Sequence, residues 1–94
     1  MELSYKGSFR EFRGILGVLS TSFESKVDLT ILNKKINTAV HDTYICVNQV
    51  NEDEVDFSVF YFDKETRYII HKGENLIHKY EGNAFGFEMN FILV

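Results

Sequence analysis

The stretch that decides the fold is Ser8–Phe23, SFREFRGILGVLSTSF. Its opening, Ser8-Phe9-Arg10-Glu11, has the form of a capping box: the serine hydroxyl accepts from the amide three residues on, and the glutamate reaches back to the cap amide. With one turn every 3.6 residues, Phe9, Phe12, Ile15, Leu16, Leu19 and Phe23 fall on one arc, the stripe of a helix laid on a core. Arg10, Glu11 and Arg13 face away. The spacing therefore predicts an amino-terminal helix. Gly14 and Gly17 weigh against it, since each costs about 1 kcal/mol relative to alanine inside a helix. Either the helix frays from Gly14 onward, or another backbone comes close on that side.

Upstream, Glu2–Lys6 alternates, with Leu3 and Tyr5 on one face, and reads as a short strand ended by Gly7. Downstream the period changes to two. Val27, Leu29 and Ile31 alternate with Asp28 and Thr30 as a strand closed by Asn33-Lys34-Lys35, and 36–42 is undecided between a turn, a bulge and the start of the next strand. TYICVNQV at 43–50 is rich in β-branched residues and reads as a strand. Four more runs follow, at 55–62, 67–72, 75–81 and 84–94. Their connectors, Asn51–Glu54, Asp63–Thr66, Gly73-Glu74 and Gly82-Asn83, are of hairpin length, which permits only antiparallel neighbours. The expected fold class is α+β: a helix packed on a bent antiparallel meander of five to six strands, possible also as a partly closed barrel.

Ninety-four residues hold one core, so 1–94 is read as a single domain, large enough to fold without metal or disulfide staples. The lone Cys46 excludes an intramolecular disulfide framework and suits a reducing compartment. There is neither a basic-then-apolar leader nor a run of 18 apolar residues, so a cytoplasmic protein with no membrane partner is expected. A net charge of −4 argues against bulk attraction to nucleic acid or anionic lipid. The composition is otherwise ordinary except for its rings: nine Phe and five Tyr, with no Trp and no Pro. Abundant Ile, Asn, Lys, Phe and Tyr beside two Ala and one Gln suggest AT-rich coding, as in low-GC bacteria, their phages and mobile elements.

If the two-residue loops set the register, one sheet face collects Phe60, Phe62, Ile69, Leu76, Tyr80 and the alternate residues Phe85–Leu93. The other carries Val55, Phe57, Val59, Tyr61, Tyr68 and Ile70 beside Lys72, Lys79 and Glu88. A helix covers only part of one face, so apolar surface is left over for a partner. Phe91-Ile92-Leu93-Val94, apolar on both faces, is either interior to the sheet or part of a subunit interface. Phe60, Phe62 and Phe91–Val94 are accordingly candidate interface residues, and Glu52, Asp53, Glu54, Asp63 and Glu65 form candidate acidic contact loops for a basic partner.

Chemical signatures are sparse. In this register His71 and His78 share the ring-rich face at a diagonal of about 7–8 Å and, with Tyr80, could line a cavity. Without HxH, HExxH or a Cys/His pairing, no metal or other cofactor is expected. Cys46, between Ile45 and Val47 in a strand, reads as an inert buried thiol, and Glu88 as an outward strand residue. Gly14-Ile15-Leu16-Gly17 has the GxxG spacing of phosphate-clamping loops, but its middle residues are apolar where those loops are basic. No catalytic residue is nominated. The expected function is a small non-enzymatic protein-binding module that self-associates, most simply as a dimer, and that could serve as a phage- or mobile-element-encoded inhibitor or modulator. The alternatives are a ligand-binding protein or enzyme with an aromatic cavity between helix and sheet, and a weakly acidic binder of single-stranded nucleic acid.

Overall fold

In the computed structural model, which describes residues 1–94, the Ser8–Phe23 segment is a β-hairpin. Strand β1 (Leu3–Phe12) and strand β2 (Val18–Val27) pair over their full length, from Leu3↔Val27 to Phe12↔Val18. The expected amino-terminal helix is absent. Strands make up 67% of the chain, and the only helical residues are the single 3-10 turn Gly14–Leu16 at the hairpin tip. The fold is all-β, and the α+β expectation is corrected.

The physical reason lies in partners that are distant in sequence. β1 is an inner strand, with β2 on one side and β8 (Phe85–Leu93) on the other, in the register Leu3↔Leu93, Tyr5↔Phe91 and Phe9↔Phe87. Every second residue from Leu3 to Phe9 thus meets an apolar residue of β8, while Ser8, the supposed helix cap, pairs with Ser22 and Glu88. β2 is rich in serine and threonine, which compete with helical backbone bonds and weaken a helix. Gly7 permits the tight approach of β1 to β8: a Cβ there would lie 1.7 Å from the Glu88 carbonyl oxygen.

The remaining strands are β3 (Lys35–Asn37), β4 (Thr43–Val50), β5 (Glu54–Tyr61), β6 (Lys64–His71) and β7 (Asn75–Glu81). They form two antiparallel four-stranded sheets, ordered β2-β1-β8-β7 and β3-β4-β5-β6. Neither sheet closes into a barrel. The last five strands lie close to where the two-residue alternation puts them, except that β6 begins at Lys64, so the connector expected over Asp63–Thr66 is the two-residue turn Phe62-Asp63; β3 falls in the undecided stretch. The strand expected over 27–31 ends at Val27; beyond it the Thr30 amide and hydroxyl donate to Asp28 Oδ1 (2.9 and 2.7 Å), forming a turn that holds the Asp28 carboxyl below its ordinary value.

The continuous meander is also corrected, at Gly73. β6 and β7 do not pair; the chain leaves one sheet and enters the other between them. The crossing is fixed to both sheets, with Lys72 N donating to Asp53 O (2.8 Å) and Gly73 N, at φ 88°, donating to Leu93 O (2.7 Å). This crossover explains the two apolar faces read from the sequence. Phe57, Val59 and Ile70 line the inner face of one sheet, Phe87, Met89 and Phe91 that of the other, and all lie in one buried cluster. The Phe57 and Phe91 ring centroids are 4.8 Å apart across the interface. β8 is interior to its sheet, with Phe91 and Leu93 fully buried.

Candidate binding surface

The β1–β2 hairpin ends in the loop Arg13–Gly17, which is built to hold a fixed shape. Gly14 (φ 60°) and Gly17 (φ 87°) take left-handed backbone that other residues adopt at a cost. Arg13 N donates to Gly17 O (2.8 Å) and Gly17 N to Gly14 O (3.0 Å). The two glycines that penalise a helix are therefore the hinges of a turn. Between them Ile15 is fully exposed and Leu16 is 82% exposed, and Phe12, Val18 and Leu19 just below are about half exposed. Five large apolar side chains thus stand in water at one end of a molecule 50 Å long. Scattered single apolar residues are ordinary on a surface, whereas a cluster of this kind marks a contact site.

Below the tip, the hairpin and the 39–41 and 84–85 segments enclose an open cleft of about 530 Å³ lined by Phe9, Glu11, Phe12, Ala39, His41, Ala84 and Phe85. Phe12 N donates to Ala84 O (2.7 Å), which anchors the finger to this wall. The His41 ring stands edge-on to Phe85 and to Phe62, at centroid distances of 5.9 and 6.0 Å. Phe62 is 55% exposed and sits at φ 53°, a strained conformation for a bulky residue, in the β5–β6 turn. Tip, cleft and Phe62 lie at the same end of the fold. The charges around the tip are paired: Arg10 with Glu81 (2.7 Å) and Arg13 more loosely with Glu11 (3.5 Å).

The other candidate interface residues are dispersed. Phe60 lies on the outer face of β5 beneath the Lys35 ammonium, 4.4 Å from its ring centroid. Phe91 and Leu93 are in the core, Ile92 is half-buried and Val94 is exposed. The acidic residues do not form one surface either. Glu52 and Asp53 are exposed in the turn next to the Val50 end of β4, while Asp63 is in the turn next to the Thr43 end, beside Phe62. Glu54 pairs with His71 (2.9 Å), and Glu65 lies in β6, where it accepts the Ser58 hydroxyl at 2.5 Å.

His71 and His78 fall in different sheets. His71 is exposed at the end of β6 between Glu54 and Glu74, and His78 is buried with Nδ1 2.8 Å from the Tyr68 hydroxyl. Tyr80 packs on Tyr61 (centroids 4.5 Å) and stacks on Phe87 (5.7 Å). Rings fill the space around it, leaving a recess of about 90 Å³ beside His78 and Tyr80. Burial, followed by the nearby Tyr80 and Asp42, pushes the Tyr61 hydroxyl up to about 12. No group of three or more His, Cys, Asp or Glu is gathered as a metal would need.

On the outer face of the second sheet a polar network runs from Asn48 to Ser58 (3.0 Å) and Asp56, whose carboxylate takes a two-pronged contact from Arg67 (2.9 and 2.5 Å). The guanidinium holds Asp56 below the usual carboxylate range. Ser58 is fully buried and Asp56 nearly so, with Cys46 alongside. These groups satisfy one another and act as a structural clasp.

Sequence reasoning missed the finger. The signal that could have found it is the Gly14/Gly17 pair around two apolar residues, flanked by Leu3-Tyr5-Phe9 alternation on one side and serine-rich sequence on the other. No helix is long and apolar enough to cross a membrane. The molecule belongs to the class of all-β proteins with two facing sheets and a projecting apolar finger. Comparison of the chain with protein-family models, curated proteins and solved structures finds no match.

Proposed function

We propose that this chain is a protein-binding module whose contact element is the apolar tip of the β1–β2 finger. One observation carries the reading: Ile15 and Leu16, almost wholly in water, are held at the apex of a hydrogen-bonded loop fixed by two glycines. Burying such a side chain from full exposure contributes about 1.5–3 kcal/mol, and a loop already in shape loses little entropy on binding. A protein partner is favoured over a lipid surface because the chain carries a charge of −4 and the arginines beside the tip face Glu81 and Glu11. Apolar anchors on an anionic membrane are normally reinforced by free basic residues. Modulation or inhibition of another protein is the simplest role for a domain of this size with such an element.

The test is photo-cross-linking in the cells that express the protein, with benzoylphenylalanine at position 16 and, as control, at Ile77, an exposed apolar residue outside the finger. A discrete protein adduct from position 16 alone is the expected result. Equal, diffuse labelling from both positions, or none from position 16, contradicts the reading.

A further inference from the structure

We infer that the finger's own cleft is its docking site, so that two copies of this chain form a dimer in which each tip fills the cleft of the other. This rests on the reading of the tip as a protein-binding element and names its partner as a second copy.

Complementarity is the first support. The tip offers Ile15 and Leu16, and the cleft is walled by Phe9, Phe12 and Phe85 with His41 edge-on at its rim. At about 530 Å³ the cleft has room for both side chains. Charge agrees with shape: Glu11 lines the cleft, and Arg13, only loosely held by its own Glu11 at 3.5 Å, adjoins the tip. A docking tip therefore carries an arginine toward a carboxylate.

Geometry is the second. Phe12 pairs with Val18 and Leu16 lies two residues from Val18, so at a rise of about 3.3 Å per residue the apex stands at most about 7 Å past the Phe12 wall of the cleft. A two-fold axis between apex and cleft places each apex at the other cleft, the self-complementary pairing that closes a dimer. Area is the third. The five tip residues are 45% exposed or more. Taking about 150–250 Å² for a large aromatic side chain and somewhat less for aliphatic ones, they present on the order of 600 Å² per chain. Doubled by reciprocity and joined by the cleft-wall residues not already counted, Phe9, Ala39, His41, Ala84 and Phe85, this reaches the lower part of the roughly 1,200–2,000 Å² of a stable interface.

The test combines association with a geometry-specific cross-link. Light scattering coupled to size exclusion should show the wild-type chain as a dimer at tens of micromolar, and Ile15→Ser/Leu16→Ser should weaken the dimer at least tenfold. Leu16→Cys in one preparation mixed with Ala39→Cys in another should form a disulfide-linked pair of unlike chains under mild oxidation. Neither variant alone should cross-link comparably, because a disulfide needs Cα atoms about 4.4–6.8 Å apart. A wild-type chain that stays monomeric, a dimer unaffected by the tip variant, or like-chain cross-links as fast as unlike ones would overturn the exchange. The adduct mass from position 16 separates the two readings: a foreign mass sinks the exchange and keeps the protein-binding role, while no adduct sinks both.

Discussion

The Tyr68 hydroxyl lies 2.8 Å from Nδ1 of His78, joining the middle of β6 in one sheet to the middle of β7 in the other, the two strands between which the chain changes sheets. Burial pushes the His78 imidazolium below its ordinary 6.5 and the Tyr68 phenol above 10.0, so at neutral pH a neutral hydroxyl and an uncharged ring share the hydrogen bond. The unfolded chain takes up a proton on this histidine near 6.5, whereas the folded chain resists it. Between that value and the lower folded one the unfolded state binds more protons, so stability falls as pH drops below about 6.5. Thermal midpoints measured from pH 7.5 down to 5.0 should decline, and His78→Gln should flatten the decline. A variant whose midpoint tracks wild type at every pH would remove His78 from this role.

Asp56 behaves in the opposite sense. Its carboxyl is held low by Arg67, so the stability it contributes is complete above the ordinary 3.8 and is lost as pH falls through the lowered value. Asp56→Asn should be less stable than wild type at pH 6, with the gap closing in acid. Urea midpoints at pH 6 and pH 2.5 check this; a gap that is the same at both would contradict it.

Gly7→Ala should be among the most damaging single-atom additions to the chain. The new Cβ would overlap a backbone oxygen of β8, which cannot swing aside as a flexible side chain could. Overpacking of a fixed wall costs about 1–3 kcal/mol or more, and for a domain of this size each kcal/mol lowers the thermal midpoint by roughly 4–8 °C. A drop of about 10 °C or more in a calorimetric scan is expected; an unchanged midpoint would show that β1 and β8 are not so closely paired.

The sequence makes the strand content of 43–94 legible because each strand there alternates with period two and neighbouring turns carry Gly, Asn or Asp. Which strands share a sheet is less legible. Gly73-Glu74 has hairpin length, yet contacts with Asp53 and Leu93, both distant in sequence, turn it into a crossing. That one step puts Phe57, Val59 and Ile70, read on the mixed second face, into the core and leaves Phe60 and Ile69, read on the ring-rich face, outside. The finger is illegible for a related reason. Phe9 is apolar because it packs beside Phe85 and Phe87, and Phe23 because it packs edge-on to Tyr5. Phe12, Ile15, Leu16 and Leu19 stand exposed in the finger. Two separate causes together imitate a helical stripe. Of the candidate site, only Phe62 stands out in the sequence as an interface residue; Gly14–Gly17 stands out for its GxxG spacing alone, because a tip freed from the core has no alternation to report.

The most direct measurement is the thermal midpoint of Ile15→Ser/Leu16→Ser, taken at a concentration low enough for wild type and variant both to be monomeric. If the tip serves contact with a partner and not folding, the two substitutions touch nothing in the folded chain and should shift stability by no more than about 0.5 kcal/mol, a midpoint within about 4 °C of wild type. A fall of 8 °C or more would mean that Ile15 and Leu16 are packed against the protein itself, and the finger would cease to be a binding element.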